Sequence, residues 1–162
     1  MCIPPRRDKL DLYPAKRGLC NASTLSNLHY FKQKESIVNA PIHGVENGKN
    51  LDDYPLENFC GRAVIYNPEG QMTSNVGVIF RDRNIDKELA EQLKKVRPRF
   101  VGLSSSFEFD VDIQKDLMKA DIILYERLYN LHLLPETFEF YGMPLNIKEG
   151  DGSPVRAFAI IR

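Results

Sequence analysis

The chain has 162 residues, which is the usual length of one domain and enough to bury a single core. It carries 22 basic and 22 acidic residues, so its formal net charge is zero. Because this balance provides no basic surface, we expect neither nucleic acid nor an anionic membrane as a partner. No apolar run approaches the ~20 residues of a membrane-spanning helix. We interpret residues 1–162 as one domain, in which residues 1–28 form a loosely ordered arm or a short edge element.

The cysteines and the start of the sequence predict a reducing compartment. Cys2, Cys20 and Cys60 are widely spaced, odd in number and form no CxxC pair, so they do not indicate a disulfide framework. The first residues are charged without an apolar stretch behind them, which is unlike a secretory signal. We therefore expect a cytoplasmic protein. Its zero net charge favours self-association, and we expect a homo-oligomer, a dimer or higher.

Apolar runs predict several strands along the chain. A short run over residues 37–43 comes first, and Pro41 ends any regular strand pairing there because proline has no N–H to donate. Residues 44–54 are predicted to form a loop, since they contain Asn-Gly and a pair of aspartates. Further strands are predicted over residues 62–66, 76–80, 99–103, 122–125, 137–144 and 157–161.

Two helices are predicted, both in the second half of the chain. The first begins with Asn84 as its N-cap and ends before Pro98, with acidic residues in its first turn and lysines in its last, as the helix dipole favours. Its apolar face is formed by Ile85, Leu89, Leu93 and Val96. The second helix covers residues 113–120. Because strands outnumber helices, the pattern favours a layered, β-rich α/β domain over a doubly wound one.

The residues alone do not indicate a catalytic site. The three histidines, His29, His43 and His132, are far apart in the sequence and have no cysteine beside them, whereas zinc sites draw on His and Cys at close spacing. A lone histidine is more often structural, and we interpret His29 and His132 in this way. The chain also lacks a glycine-rich phosphate loop, a nucleophile elbow and a Walker-type lysine.

Two further polar segments have ordinary structural interpretations. Residues 150–153, Gly-Asp-Gly-Ser, are predicted to form a tight turn that feeds the last strand. Glu108, Asp110 and Asp112 alternate with apolar residues, which is more typical of a solvated strand face than of a cation site. The residues alone therefore predict a soluble domain of unassigned function.

Two longer segments carry motifs of a known family. The first contains Asn-Ala-Pro-Ile-His at residues 39–43, followed by a Gly-Lys pair, a Tyr-Pro-Leu step and an apolar strand at residues 61–65. The second contains Ile-Ile-Leu-Tyr-Glu at residues 122–126 and ends in Gly-Asp-Gly-Ser-Pro-Val-Arg-Ala at residues 150–157. Together they resemble the cyclase family, which includes the bacterial kynurenine formamidases and is similar to the isatin hydrolases.

The resemblance implies a layered β/β/α single domain with a mixed sheet and few helices, and a metal-dependent hydrolase activity. The family's glutamate ligand matches Glu126, and its histidine near the metal-bound water matches His43. At the family's other four metal-binding positions, this chain holds Gln33, Ile37, Asn39 and Gln114. Amide oxygens are weak neutral ligands for zinc, and isoleucine offers no ligand at all.

From this resemblance we predict the site residues. His43 and Glu126 are the predicted catalytic residues, and Asn39, Gln114 and Ser105 are the predicted substrate-binding residues. We expect no metal and no other cofactor, unless a rearranged site holds zinc or manganese. The loss of the metal ligands matters because a bound metal lowers the pKa of its water from about 15.7 to about 7 and so supplies the nucleophile at neutral pH.

Three functions stay open at this point. The chain is a degenerate family member that binds a small molecule or a protein partner without metal catalysis, or an active hydrolase of amides or lactams such as N-formylkynurenine. In the second case, His43 is the acid–base residue and Glu126 is a ligand or a second base. The third possibility is an assembly subunit whose fold serves as an interaction platform. We favour the first and third, because four ligand positions have changed.

Overall fold

The computed structural model describes residues 36–161 and the backbone of residues 8–11. Two helices, Lys87–Val96 (α1) and Val111–Lys119 (α2), lie among nine strands. The strands are Asp8–Asp11 (β1), Ile37–Asn39 (β2), Cys60–Ile65 (β3), Gly77–Phe80 (β4), Phe100–Ser104 (β5), Ile123–Leu128 (β6), Thr137–Tyr141 (β7), Gly152–Pro154 (β8) and Phe158–Ile161 (β9).

All nine described strands join one mixed sheet in the order β1-β9-β7-β3-β4-β5-β6-β2-β8. The four central strands β3, β4, β5 and β6 are parallel, and α1 and α2 provide the crossovers between the last three of them. The remaining strand pairs are antiparallel. The structure confirms the predicted α/β class with a mixed sheet and few helices.

The sheet curls around its larger hydrophobic core. Val38 of β2 and Ala159 of β9 belong to this one cluster, although their strands lie near opposite ends of the strand order. At its centre the rings of Phe100, Tyr125 and Phe140 are in contact, with centroids 4.8–5.4 Å apart. The buried Tyr125 hydroxyl donates a hydrogen bond to the Gly142 carbonyl at 2.8 Å, so this polar group is satisfied within the core.

The two helices cover the opposite face of the sheet and enclose a second core. α1 buries Leu89, Ala90 and Leu93, and α2 buries Ile113, Leu117 and Met118. The predicted N-cap of the first helix is wrong by two residues. Asp86 accepts the hydrogen bond from Leu89 N at 2.9 Å, whereas Asn84 accepts one only from its neighbour Ile85 N.

Two other sequence-based interpretations are corrected by the structure. Asp110 is the N-cap of α2 and accepts hydrogen bonds from Asp112 N and Ile113 N, so the acidic alternation is a helix start and not a strand face. Gly152–Pro154 is itself a strand, β8, which pairs with β2 at the sheet edge far from β9. The expected turn therefore does not feed the last strand directly.

The predicted arm is only partly described. Residues 8–11 form β1, an edge strand that pairs antiparallel with β9, and the other residues before Ser36 lie outside the described residues together with His29 and Gln33. In the part of the chain that the structure describes, neither helix has the length and apolar character needed to cross a lipid bilayer.

The cap assignment of α1 can be tested by mutation. We expect Asp86→Ala to lower the free energy of unfolding by about 1 kcal/mol, because the first turn of α1 loses its side-chain acceptor. Asn84→Ala is the matched control and should cost clearly less, since Asn84 bonds to no N–H of the helix. Urea unfolding followed by circular dichroism measures both variants. Equal destabilisation would contradict the assignment.

Candidate functional site

A β-bulge in β6 shapes the candidate site. Gly102 of β5 lies opposite Tyr125, but Ser104 lies opposite Leu128, so β6 contains one residue more than its partner over this interval. Arg127 has a left-handed backbone with φ of 57°. Bulges re-aim the side chains that flank them. Here the bulge returns Leu128 to the core that holds Tyr125, and leaves Glu126 on the side of the sheet that faces α2.

Glu126 is held by two side-chain amides. Its Oε1 accepts a hydrogen bond from Asn39 Nδ2 at 2.5 Å and another from Gln114 Nε2 at 2.7 Å. Asn39 lies on β2, the antiparallel neighbour of β6, and is only 5% exposed, whereas Gln114 lies on α2. We call Asn39, Gln114 and Glu126 the amide–carboxylate cluster. The carboxylate offers only acceptors, so both amides must present their NH₂ groups to it.

The surroundings of Glu126 change its acidity. Burial raises the pKa of this carboxyl above its ordinary value, because the charged form loses hydration. The electrostatic effects of His43 and Arg127 and the two amide hydrogen bonds lower the pKa of Glu126 and offset part of the effect of burial. The effect of burial is the largest, so the carboxyl is less acidic than an ordinary glutamate.

His43 lies at the rim of the cluster and has a carboxylate partner. It ends the short 3-10 segment Pro41–His43, and its Nδ1 lies 3.0 Å from Asp151 Oδ2. Both side chains are exposed to solvent. Sequence reasoning did not identify Asp151 as a site residue, although it lies in the Asp-Gly-Ser-Pro motif. The pair leaves His43 Nε2 as the ring nitrogen that could exchange a proton with a ligand.

The remaining residues singled out from the sequence lie in several parts of the fold. Ile37 is paired opposite Glu126 across β2 and β6. Ser105 follows β5, and its backbone N–H donates to the Leu128 carbonyl at 2.8 Å. Among the described residues, no hydrogen bond joins the Ser105 hydroxyl to the cluster. His132 is exposed and lies in the short 3-10 segment Leu131–Leu133, and Gln33 lies outside the described residues.

The residues of the cluster do not fit the divalent metal that the resemblance implies. Within residues 36–161 there is no group of three or more His, Cys, Asp and Glu side chains that could hold a metal ion. The cluster itself provides one carboxylate and two neutral amides, and both amides turn their NH₂ donors toward the carboxylate. Hydrolytic zinc sites instead use three strong protein ligands and keep one open position for water.

A cavity of about 150 Å³ adjoins the cluster. Its walls are formed by Leu103, Phe107, Glu108, Phe109, Glu126 and Arg127. Arg127 Nη1 is buried and has no hydrogen-bond partner among the described residues. Sequence reasoning did not identify Arg127, because nothing in its neighbourhood signals that an arginine adopts a left-handed backbone inside a strand.

Comparison with known proteins finds similar solved structures but no similar sequences. No family model matches the sequence, and no curated protein sequence matches it either. A solved structure described as a potential metal-dependent hydrolase with cyclase activity is similar with a TM-score of 0.69 and 18% identity, over 79% of this chain and 78% of that chain. Isatin hydrolase A from Ralstonia solanacearum is similar with a TM-score of 0.67 and 19% identity, over 78% and 71% of the two chains.

A third structure extends this result to another source. A predicted metal-dependent hydrolase from Bacillus stearothermophilus has a TM-score of 0.63 and 18% identity, over 79% of this chain and 77% of that chain. Identities at this level show a shared fold and leave the activity of this chain to be argued from its own residues. The chain therefore has the fold of the cyclase-type and isatin hydrolase-type metal-dependent hydrolases.

Proposed function

We propose that this chain binds a small molecule at the amide–carboxylate cluster and does so without metal catalysis. One observation carries the proposal: Asn39 and Gln114 both donate to the same oxygen of Glu126. The resemblance assigns these three residues to metal-binding positions. In this chain they are hydrogen-bonded to one another, and Glu126 Oε1 accepts a hydrogen bond from each amide.

The donor chemistry supports this proposal. Amide oxygens bind zinc weakly, and a single carboxylate does not supply the charge of a hydrolytic zinc site. Without such a site the protein lacks the means to produce hydroxide at neutral pH, which is the main contribution of the metal to hydrolysis. The cluster retains groups that can recognise a ligand, namely amide oxygens as acceptors and Glu126 Oε2, which has no hydrogen bond among the described residues.

The first test is the metal content of the purified protein. We expect zinc and manganese far below one equivalent per chain after purification without chelators, measured by inductively coupled plasma mass spectrometry. The triple variant I37H/N39D/Q114H restores strong ligands beside Glu126 and should acquire zinc, which provides the positive control. Stoichiometric zinc or manganese in the unmodified protein would overturn the proposal.

The second test uses the pH dependence of stability. The pKa of Glu126 is raised in the folded state, so its contribution is fully present below the pKa of the unfolded chain, about 4.3, and is lost as pH rises through the folded pKa. Glu126→Gln keeps an oxygen that accepts both amide hydrogen bonds but does not titrate. We expect the unfolding free energy of the native protein, relative to this variant, to fall as pH rises.

Urea unfolding of both proteins between acidic and neutral pH measures this difference. The two unfolding curves must be compared at each pH, so that all other titrating groups cancel. A difference that stays constant with pH, or that grows in favour of the native protein, would show that Glu126 is not destabilised by burial in the folded state.

The alternative function is hydrolysis of an amide or lactam C–N bond by a rearranged site. The contact of Asp151 with His43 Nδ1 favours it, because a carboxylate commonly orients a general base in this way. In that case His43 is the acid–base residue, Glu126 is a ligand or second base, and zinc or manganese is the cofactor.

An assay on formamide substrates separates the two functions. We expect the native protein and His43→Ala to show the same background rate. His132→Ala is the matched control, since this exposed histidine lies in the segment Leu131–Leu133 and is not part of the cluster. A rate that disappears in His43→Ala and persists in His132→Ala would establish the alternative.

A further inference from the structure

Arg127 combines two features that are both unfavourable for folding. Its backbone is left-handed, with φ of 57°, a conformation in which a side chain larger than hydrogen is crowded. Its guanidinium nitrogen Nη1 is buried without a hydrogen-bond partner among the described residues. A buried cationic donor that lacks an acceptor carries a desolvation cost. Unfavourable features of this kind concentrate at binding sites, where a ligand compensates for them.

The space in front of Arg127 is suited to a small ligand. The cavity measures about 150 Å³, which matches the volume of an engineered protein cavity that admits one benzene ring. Leu103, Phe107 and Phe109 form the apolar part of its wall, while Arg127 and two glutamates form the polar part. A ligand with one charged group and one apolar ring could contact both parts of the wall.

We propose that this cavity binds a small monocarboxylate, with the carboxylate on Arg127 and the apolar body against Phe107 and Phe109. The inference rests on the proposed function, because it names the ligand class for the site that contains Glu126. A guanidinium presents its N–H groups as a planar fork that matches a carboxylate, and such charge-assisted pairs are among the strongest hydrogen bonds in proteins.

The charges around the cavity restrict the ligand further. Glu108 and Glu126 line the same space as Arg127, so each additional negative charge on the ligand is repelled. A monocarboxylate brings one charge, whereas inorganic phosphate at neutral pH is a mixture of singly and doubly charged ions. The cavity therefore selects a carboxylate over phosphate.

Isothermal titration calorimetry on the full chain tests this inference with three probes. We expect benzoate to bind, benzamide to bind at least about tenfold more weakly because it lacks the charge, and inorganic phosphate not to bind. Arg127→Gly should weaken benzoate at least about tenfold while raising the melting temperature, since glycine accepts the left-handed backbone and the unpaired nitrogen is removed. Arg127→Lys keeps the charge without the fork and should bind with intermediate affinity.

The chain offers a matched control in Arg97. This exposed arginine also has a left-handed backbone, with φ of 52°, but it ends α1 and is not part of the cavity wall. Arg97→Gly should raise the melting temperature in the same way and leave benzoate affinity unchanged. If Arg127→Gly does not fold, the comparison of Arg127→Lys with Arg97→Gly decides the question.

Several outcomes would overturn the inference. These are equal affinities for benzoate and benzamide, no benzoate binding up to about 10 mM, or benzoate binding that Arg127→Gly and Arg127→Lys leave unchanged. The metal content of the same sample separates this failure from that of the proposed function. If the protein is free of metal and does not bind benzoate, only the proposed carboxylate site is contradicted. If it contains stoichiometric metal, the proposed function is contradicted.

Discussion

The burial of one carboxylate constrains everything around it. Glu126 belongs to β6 and lies between β2 and α2, where an ionised group without hydrogen bonds would be very costly. The chain meets this requirement with the amides of Asn39 and Gln114 and with the nearby charge of Arg127. These partners come from three separate elements, β2, α2 and β6, so the folded sheet and α2 assemble the cluster. The same contacts occupy Glu126 Oε1, the oxygen that accepts both amide hydrogen bonds.

The bulge connects this local chemistry to the fold. It allows β6 to place Tyr125 and Leu128 in one core while Glu126 faces the helix side. The extra residue, Arg127, takes the left-handed conformation that the bulge requires, and glycine or asparagine would adopt it more easily. An arginine at this position costs stability and forms part of the cavity wall. In the proposed site, stability and ligand recognition therefore oppose one another at this residue.

Local patterns predicted much of the fold, and long-range pairing explains what they missed. β7 was predictable because its apolar and polar residues alternate within the segment itself. α1 was predictable because acidic residues mark its first turn and Pro98 follows its end. Asn84 and Asp86 are both capable N-caps, and only the helix geometry decides between them. β8 has three residues, too few for a periodic signal, and exists because β2 pairs with it. The resemblance suggested the three cluster positions, and their roles remain predictions. The conformation of Arg127 depends on the pairing of β5 with β6.

The central claim is that protein amides, and not a metal ion, satisfy Glu126. The most direct measurement follows the side-chain NH₂ signals of Asn39 and Gln114 by ¹⁵N NMR while Mn²⁺ is added to the metal-free protein. Mn²⁺ is paramagnetic and broadens the signals of nuclei close to it. The account predicts two NH₂ groups with the downfield protons of hydrogen-bonded amides, and no selective broadening at substoichiometric Mn²⁺. Selective loss of these two signals would show that a metal binds at Glu126 and would contradict the account.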